Sequence, residues 1–371
     1  MGLCSLDLKD ERISQVMFPF IRLIDPLSKV KPEEIVYTPL KGGGSKAKLY
    51  RFEFNERYYV LRLLPPQAQR LIRMHQINLA TQAGKIGVGP EIYFVDLRMD
   101  GMVMEFIPGH TSQRKDFEKP DHIVKFAKFL QKLHQSPERF PLACSPYQRF
   151  NDFMLKGEEK NMVYPSRFAE LKILMRELEE TFRLFPIPLV PSHLDLHPLN
   201  IMSTEKQFFL VDWVNGGLSD PFFDLATFAI FHDLNHSQIM TFLSSYFNHV
   251  PTQHEWNRFT VTQPIRLFVI AAALFTLSTD TPSSYEKALQ SCELPPIEDL
   301  GKEGLNWSFW QYGLTMYKEG LALIDHDNFK IALNELQKEA HHVSFNLLKE
   351  TSPEKFVHQK KSYEALFGDL R

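Results

Sequence analysis

The sequence predicts an α+β fold made of two lobes: a small one with an antiparallel sheet over residues 1–106, and a larger, mainly helical one over residues 107–371. Strand-like runs and turns dominate the first part, whereas apolar residues at helical spacing dominate the second. Between them, Ile107-Pro108-Gly109 interrupts both patterns, as a hinge would. A chain of 371 residues, 44% of them hydrophobic, is long enough for a core in each lobe.

The small lobe is expected to begin with a helix over residues 8–24. Apolar residues recur there at helical spacing, and Pro19 is expected to kink or shorten the helix. Strand-like runs then flank three glycines within residues 39–54. Further strands are expected over residues 58–63, 89–95 and 102–106, with a helix over residues 67–84 between the first two.

The larger lobe shows long amphipathic stretches. The strongest covers residues 121–135, where Ile123, Phe126 and Leu130 share one face. Further helices are expected over residues 166–185, 221–232, 264–277, 305–324 and 328–348.

The most informative segment for function is Ser-His-Leu-Asp-Leu-His-Pro-Leu-Asn-Ile-Met at residues 192–202. It is followed by an apolar strand that ends in Asp212-Trp213. Asp195 and Asn200 lie five positions apart, and turn capping alone would explain either of them. The ordered set with Asp212 is instead typical of kinase-like phosphoryl transfer, in which an Asp accepts the proton of the acceptor hydroxyl. Asn200 and Asp212 then supply the hard oxygen ligands that Mg²⁺ prefers.

A nucleotide site is expected in the small lobe. A hairpin at Gly42, Gly43, Gly44 and Ser45 would let backbone N–H groups approach phosphate oxygens, although such hairpins are also common turns. Arg62 on the next strand would pair with the phosphates of ATP, or else lie on the surface. Backbone groups from Glu105 to Ile107 are placed to bind adenine.

The amino-acid composition limits which kinds of binding partner and which cellular location are expected. The net charge of −3 gives no basic excess for nucleic acid. The three cysteines are far apart, which favours a reducing, cytoplasmic location over a disulfide framework. The apolar run at residues 267–275 is shorter than a membrane span, so no integral membrane segment is expected, and the N-terminus shows no secretion signal.

From about residue 40 to residue 336, the chain resembles the choline kinase and aminoglycoside phosphotransferase family, nearest to the bacterial choline kinases. The resemblance rests on the glycine-rich loop, the Val-Leu-Arg strand, Gly-Val-Gly-Pro-Glu-Ile-Tyr at residues 87–93, the motif at residues 193–200, and Asp-Pro-Phe-Phe-Asp-Leu-Ala at residues 220–226. It implies a protein-kinase-like fold with ATP and Mg²⁺ as cofactors. It also implies that Asp195 is the base and that His193 and Asp224 support the catalytic loop.

The resemblance extends to a late Trp-x-x-Trp pattern at Trp307 and Trp310, which in choline kinases lies on a helix. Positions three apart share a helix face, so the two rings could enclose a quaternary ammonium, or could be core residues. After Asp212 the chain has Trp213-Val214-Asn215, where choline kinases usually carry Glu and an aromatic residue, and it has Phe231 where an acidic residue is usual. It also has no Glu or Asp between residues 63 and 86, so His75 or Gln76 takes the place of the helix glutamate.

Three interpretations follow. The first is an ATP-dependent kinase that phosphorylates the hydroxyl of a small amino alcohol, choline or a choline-like compound. The second keeps the fold and takes an aminoglycoside, a thiamine-like vitamin or another hydroxylated amine as the acceptor. The third is a catalytically impaired, kinase-like binding module, which the missing helix glutamate suggests and the intact set of Asp195, Asn200 and Asp212 opposes.

Overall fold

The computed structural model describes residues 10–40, 47–282, 284–300 and 307–351. The chain divides into two compact units. The first comprises Met1–Ala143, Leu189–Val250 and Glu298–Leu305, and the second comprises Cys144–Pro188, Pro251–Ile297 and Asn306–Arg371. The lobe boundary expected at residue 106 stays a prediction.

The α-helices of the described residues are α1 Glu11–Ile24, α2 Arg70–Ile86, α3 Pro120–His134, α4 Pro146–Glu159, α5 Phe168–Arg183, α6 Phe222–Phe231, α7 His236–Phe247, α8 Gln253–Leu277, α9 Tyr285–Ser291, α10 Phe309–Asp325 and α11 Asp327–Thr351. The strands are β1 Thr38–Leu40, β2 Lys48–Phe54, β3 Arg57–Leu63, β4 Ile92–Val95, β5 Gly101–Glu105, β6 His110–Thr111, β7 Val190–Ser192, β8 Ile201–Ser203, β9 Phe208–Leu210 and β10 Gly217–Ser219.

In the first unit, five strands form an antiparallel sheet in the order β1-β2-β3-β5-β4. Helix α1 buries its apolar stripe in the same core as this sheet, and the Phe20 ring contacts the rings of Phe52 and Tyr59. Asp10 caps the helix, which continues past the exposed Pro19 to Ile24. The helix predicted from the spacing is therefore confirmed, and Pro19 does not shorten it.

Two smaller sheets in the first unit flank the motif at residues 193–200. Strand β7 pairs antiparallel with β10, and β6, β8 and β9 form a second antiparallel sheet. A single turn of 3₁₀-helix, Pro198–Asn200, leads into β8. The two sheets fix both ends of the motif, because the chain leaves β7 directly before it and enters β8 directly after it.

In the second unit, α8 is the central buried helix. Its start, expected at Pro264, is wrong: the helix begins at Gln253 behind a capping box formed by Thr252 and Glu255, and Pro264 lies buried inside it. Because most of the helix is buried, packing outweighs the backbone hydrogen bond that the proline removes.

Helix α10 packs closely on α8 because two of its positions are glycines. A Cβ atom at Gly313 would come within 2.7 Å of the Phe275 ring, and one at Gly320 within 2.5 Å of the Phe268 ring. Helix α8 is the one helix among the described residues that is long and apolar enough to cross a membrane. Its burial in the second unit is what the core helix of a globular protein shows.

Candidate active site

All the described polar residues of the motif belong to the first unit. The chain turns sharply after β7, because Leu194 has a left-handed backbone with φ 62°. This conformation is costly for a branched residue and persists only where its surroundings impose it. Leu194 is also buried, so the turn is held from inside the protein.

Asp224 at the start of α6 holds the turn. Its Oδ1 accepts a hydrogen bond from the Leu194 backbone nitrogen at 2.6 Å, and its Oδ2 accepts one from the His193 backbone nitrogen at 2.8 Å. His134 on α3 donates to the same Oδ2 from Nε2 at 3.2 Å, and its Nδ1 lies 2.7 Å from the Tyr246 hydroxyl. Complete burial raises the pKa of Asp224, but the hydrogen bonds from His134 and His193 outweigh it and hold the pKa below its usual value.

The His193 side chain ties the same turn to the strand before Asp212. Its Nε2 donates to the Val211 carbonyl at 2.9 Å, and its ring lies edge-on against Trp213 with centroids 4.6 Å apart. Burial lowers the pKa of His193, in spite of the nearby carboxylates of Asp224 and Asp195, so the ring is neutral near pH 7. His193 and Asp224 therefore have the contacts expected of residues that support the loop.

Asp195 follows the turn, and its carboxylate is about one quarter exposed, at 26%. Asn200 donates from Nδ2 to the Asp195 carbonyl at 2.9 Å and to Oδ2 at 3.2 Å. Asn215 donates from its own Nδ2 to the same Oδ2 at 3.2 Å. Among the described residues, none donates to Asp195 Oδ1, so this oxygen can accept a further hydrogen bond.

Arg62 on β3 pairs with Asp212, with Nη2 and Oδ1 at 2.9 Å. Phosphate binding by Arg62 stays a prediction, and its partner among the described residues is the Asp212 carboxylate. The pair is largely buried, with side chains 9% and 20% exposed. His75, at the place of the missing helix glutamate, instead contacts the Gly216 carbonyl through Nε2 at 3.1 Å.

Asn200 and Asp212 fit a magnesium ion by the chemistry of their free oxygens. The Asn200 amide nitrogen is taken by Asp195, and Asp212 Oδ1 is taken by Arg62. Within the described part of the chain, this leaves Asn200 Oδ1 and Asp212 Oδ2 without partners. The backbone bond from the Val211 nitrogen to the Asn200 carbonyl, 2.9 Å, keeps the two residues adjacent. Two protein oxygens suit Mg²⁺, which takes most of its other ligands from phosphates and water.

Other expected site residues are not joined to this cluster. Gly42, Gly43, Gly44 and Ser45 lie outside the described residues. The Glu105 backbone nitrogen donates to the Glu91 carbonyl at 2.8 Å, and the Ile107 carbonyl accepts from Gly109 at 2.9 Å. Adenine binding by this segment stays a prediction, with the Ile107 N–H as its available donor among the described groups.

Trp307 and Trp310 belong to the second unit. The expectation that they share one helix face is wrong, because α10 begins at Phe309 and Ser308 is its N-cap, which places Trp307 outside the helix. Trp310 donates from Nε1 to Asp280 Oδ2 at 3.1 Å. A carboxylate therefore lies beside one of the two rings, which the sequence did not reveal.

Sequence reasoning also missed the second donor to Asp195, which is Asn215, and the buried pair His134 and Tyr246. Asn215 follows Asp212 by three positions, and this proximity to a predicted ligand was the one available signal. His134 and Tyr246 lie 90 residues before and 22 residues after Asp224, too far for any local pattern to connect them.

Comparison with known proteins agrees with this arrangement. The model of the phosphotransferase enzyme family, APH, matches residues 36–257. Protein LicA of Haemophilus influenzae is 25% identical over 177 residues, 47% of this chain. The match spans 52% of that relative and 66% of the LicA of strain Rd, so the chain aligns with only part of each.

Solved structures share the fold. A choline/ethanolamine kinase family protein of Mesorhizobium loti has a TM-score of 0.65 at 19% identity, over 81% of this chain and 92% of its own. Choline kinase LicA of Streptococcus pneumoniae has a TM-score of 0.60 at 17% identity, over 84% and 99%. The aminoglycoside phosphotransferase APH(2'')-Ib reaches 0.52 at 12% identity, over 81% and 98%. The fold is protein-kinase-like, as predicted, and the chain belongs to the phosphotransferase enzyme family, with choline kinases and aminoglycoside phosphotransferases among its structural neighbours.

Proposed function

We propose that the protein transfers the γ-phosphate of MgATP to the hydroxyl of a small amino alcohol, choline or a choline-like compound. The observation that carries this proposal is the state of Asp195, whose Oδ2 is held by two amides while Oδ1 has no partner among the described residues. A carboxylate with one oxygen held and one oxygen available is suited to orient a hydroxyl and take its proton.

In the proposed reaction, the acceptor hydroxyl donates its hydrogen bond to Asp195 Oδ1. The acceptor oxygen forms a bond to the γ-phosphorus of ATP, the bond from that phosphorus to the β,γ-bridging oxygen breaks, and ADP leaves. The hydroxyl proton passes to Asp195, which later releases it to water. Since the transition state is loose, Asp195 contributes mainly by alignment, and its proton transfer comes late.

Asn200 and Asp212 would hold magnesium through the two free oxygens described above. When bound, the ion neutralises charge on the phosphate oxygens and keeps them in line. Arg62 lies beside Asp212 and can turn its charge toward the phosphates, and the segment at residues 42–45 would supply backbone N–H groups.

A cationic acceptor is supported by three observations. Relatives named as choline kinases share the fold. The chain keeps Trp307 and Trp310, and Asp280 accepts a hydrogen bond from the Trp310 indole. An aromatic face attracts a desolvated quaternary ammonium by about 2 kcal/mol, and a nearby carboxylate favours the same charge.

We place this activity in the cytoplasm, where ATP is available.

A second candidate is an aminoglycoside or a thiamine-like acceptor. It is favoured by the fold shared with aminoglycoside phosphotransferases. Phe231 in place of an acidic residue weakens electrostatic selection for the choline cation. A binding module without turnover would not require the ordered contacts around Asp195.

The test is ATP-dependent phosphorylation by the purified protein, measured with choline, ethanolamine, thiamine and several aminoglycosides. Asp195→Asn keeps the size of the side chain and removes the base, so we expect kcat to fall by roughly 10²- to 10⁴-fold. Trp310→Leu, compared with Trp256→Leu, is expected to raise the KM for choline and leave that for MgATP unchanged. If only a compound other than choline is phosphorylated, that compound is the acceptor. If no compound is phosphorylated, the kinase proposal is refuted.

A further inference from the structure

We infer that Asn215 is a positioning residue for the base: it fixes the plane of the Asp195 carboxylate, so that the oxygen without an amide donor among the described residues faces the acceptor hydroxyl. The inference rests on the proposed kinase function and goes beyond it. It assigns a role to a residue that, by the family resemblance, is only part of a stretch that departs from the usual sequence. The observation behind it is that both amide donors to this carboxylate converge on a single oxygen.

One donor is not sufficient to fix a carboxylate. The last torsion of an Asp side chain is broad, so a single hydrogen bond leaves the plane of the carboxylate free to rotate. Asn200 divides its Nδ2 between the carbonyl and Oδ2 of Asp195, at 2.9 and 3.2 Å, and it lies in the same short loop. A second donor from a separate segment removes the remaining freedom, because a turned carboxylate would have to break both bonds to Oδ2.

Asn215 comes from a segment that is itself held in place. It ends the 3₁₀ turn Trp213–Asn215, which follows the left-handed Asp212. The Trp213 indole nitrogen donates to the Leu210 carbonyl at 3.2 Å, and the Gly216 nitrogen donates to the Trp213 carbonyl at 3.2 Å.

Helix α2 reaches the same turn. His75 contacts the Gly216 carbonyl at 3.1 Å, directly after Asn215. A chain of contacts therefore runs from α2 through Gly216 and Asn215 to the base. The geometry of Asp195 is thus set by the same turn that carries the proposed metal ligand Asp212.

This role makes a specific demand on the side chain at position 215, which must donate a hydrogen bond. Asp has nearly the same shape as Asn but, when ionised, has no hydrogen to donate, and its charge repels Asp195. A residue needed only for its volume would tolerate Asp better than Ala. A residue needed as a donor would tolerate Ala better than Asp.

The experiment measures kcat and KM for wild type, Asn215→Ala, Asn215→Asp and the exposed control Asn328→Ala, with the acceptor that the wild type turns over. We expect Asn215→Ala to lower kcat by roughly 10- to 100-fold, since small misplacements of a reacting group have effects of this size. We expect Asn215→Asp to lower kcat further. The KM for MgATP should stay within about twofold in both variants, because the metal ligands and Arg62 are unchanged. Thermal unfolding confirms that each variant is folded.

Two outcomes would overturn the inference alone: an Asn215→Asp enzyme with wild-type kcat, or equal losses in kcat and in MgATP affinity in both variants. Failure of the proposed function gives a different result. In that case, wild type and Asp195→Asn would be indistinguishable with every acceptor, and the inference would fail together with the function on which it rests.

Discussion

The buried carboxylate of Asp224 is expected to stabilise both the fold and the catalytic loop, and Asp224→Asn tests this without changing the size of the side chain. In the native structure, three donors converge on it: the backbone nitrogens of His193 and Leu194 and the imidazole of His134. An asparagine can accept from Leu194 through its oxygen. Its amide group would then face the other two donors, so two buried hydrogen bonds are lost.

The magnitude follows from those two lost bonds. A buried donor left without an acceptor costs about 1–3 kcal/mol, so the variant, which leaves two, should lose roughly 2–6 kcal/mol. This is a large fraction of the 5–15 kcal/mol that is typical of a folded domain, and it corresponds to a decrease in melting temperature of about 10 °C. The exposed Asp233, which pairs with Arg114, gives a matched control, because Asp233→Asn should cost less than about 1 kcal/mol.

The assay is chemical and thermal unfolding of both variants at neutral pH, together with kcat. Because the pKa of Asp224 is lowered in the folded state, its contribution is complete above the ordinary Asp value of 3.8 and is lost as the pH falls below it. The difference between wild type and Asp224→Asn should therefore shrink in acid. If Asp224→Asn unfolds within about 1 kcal/mol of wild type at pH 7, Asp224 does not hold the turn and the reasoning is wrong.

Three further perturbations have directions that the structure fixes. Burial lowers the pKa of His232 to about 4. The free energy of unfolding should therefore rise by up to about 3 kcal/mol between pH 4 and 6.5, because the histidine of the unfolded chain loses its proton in this range. Urea titrations of His232→Phe should show a flatter pH dependence than those of wild type. At Gly217 the backbone φ is 152°, and a Cβ atom would lie 2.8 Å from the Ala143 nitrogen. Gly217→Ala should therefore destabilise the first unit by about 2 kcal/mol or more, which thermal unfolding can measure. Arg62→Met removes the cation beside Asp212, so the KM for MgATP in steady-state kinetics should rise by at least about 10-fold while the protein stays folded. An unchanged KM would exclude Arg62 from nucleotide binding.

The features that could be predicted from the sequence are those encoded within short stretches of chain. Helix α1 follows from a single apolar stripe, and the adjacency of Asn200 and Asp212 follows from a tight loop and a short strand. The sequence also carries a local signal for the start of α10. Ser308 and Gln311 form a capping box, a pattern that places Trp307 before the helix.

The features that could not be predicted depend on contacts between distant segments. His134 reaches Asp224 across 90 residues, and a histidine on an amphipathic helix gives no sign of such a partner. The partner of Arg62 lies 150 residues away, and only the folded chain brings it near. In each case a buried polar group requires a hydrogen-bond partner, but the requirement does not say which residue meets it.

The missing helix glutamate shows how far the active site depends on such distant contacts. In the protein-kinase pattern, one glutamate both pairs with the strand cation and links its helix to the site. Here two residues divide these tasks, because Asp212 pairs with Arg62 and His75 links α2 to Gly216. The cation is therefore not left unpaired in a buried setting, which would be costly. The absence of an acidic residue between residues 63 and 86 thus gives no reason to prefer a binding module over an enzyme.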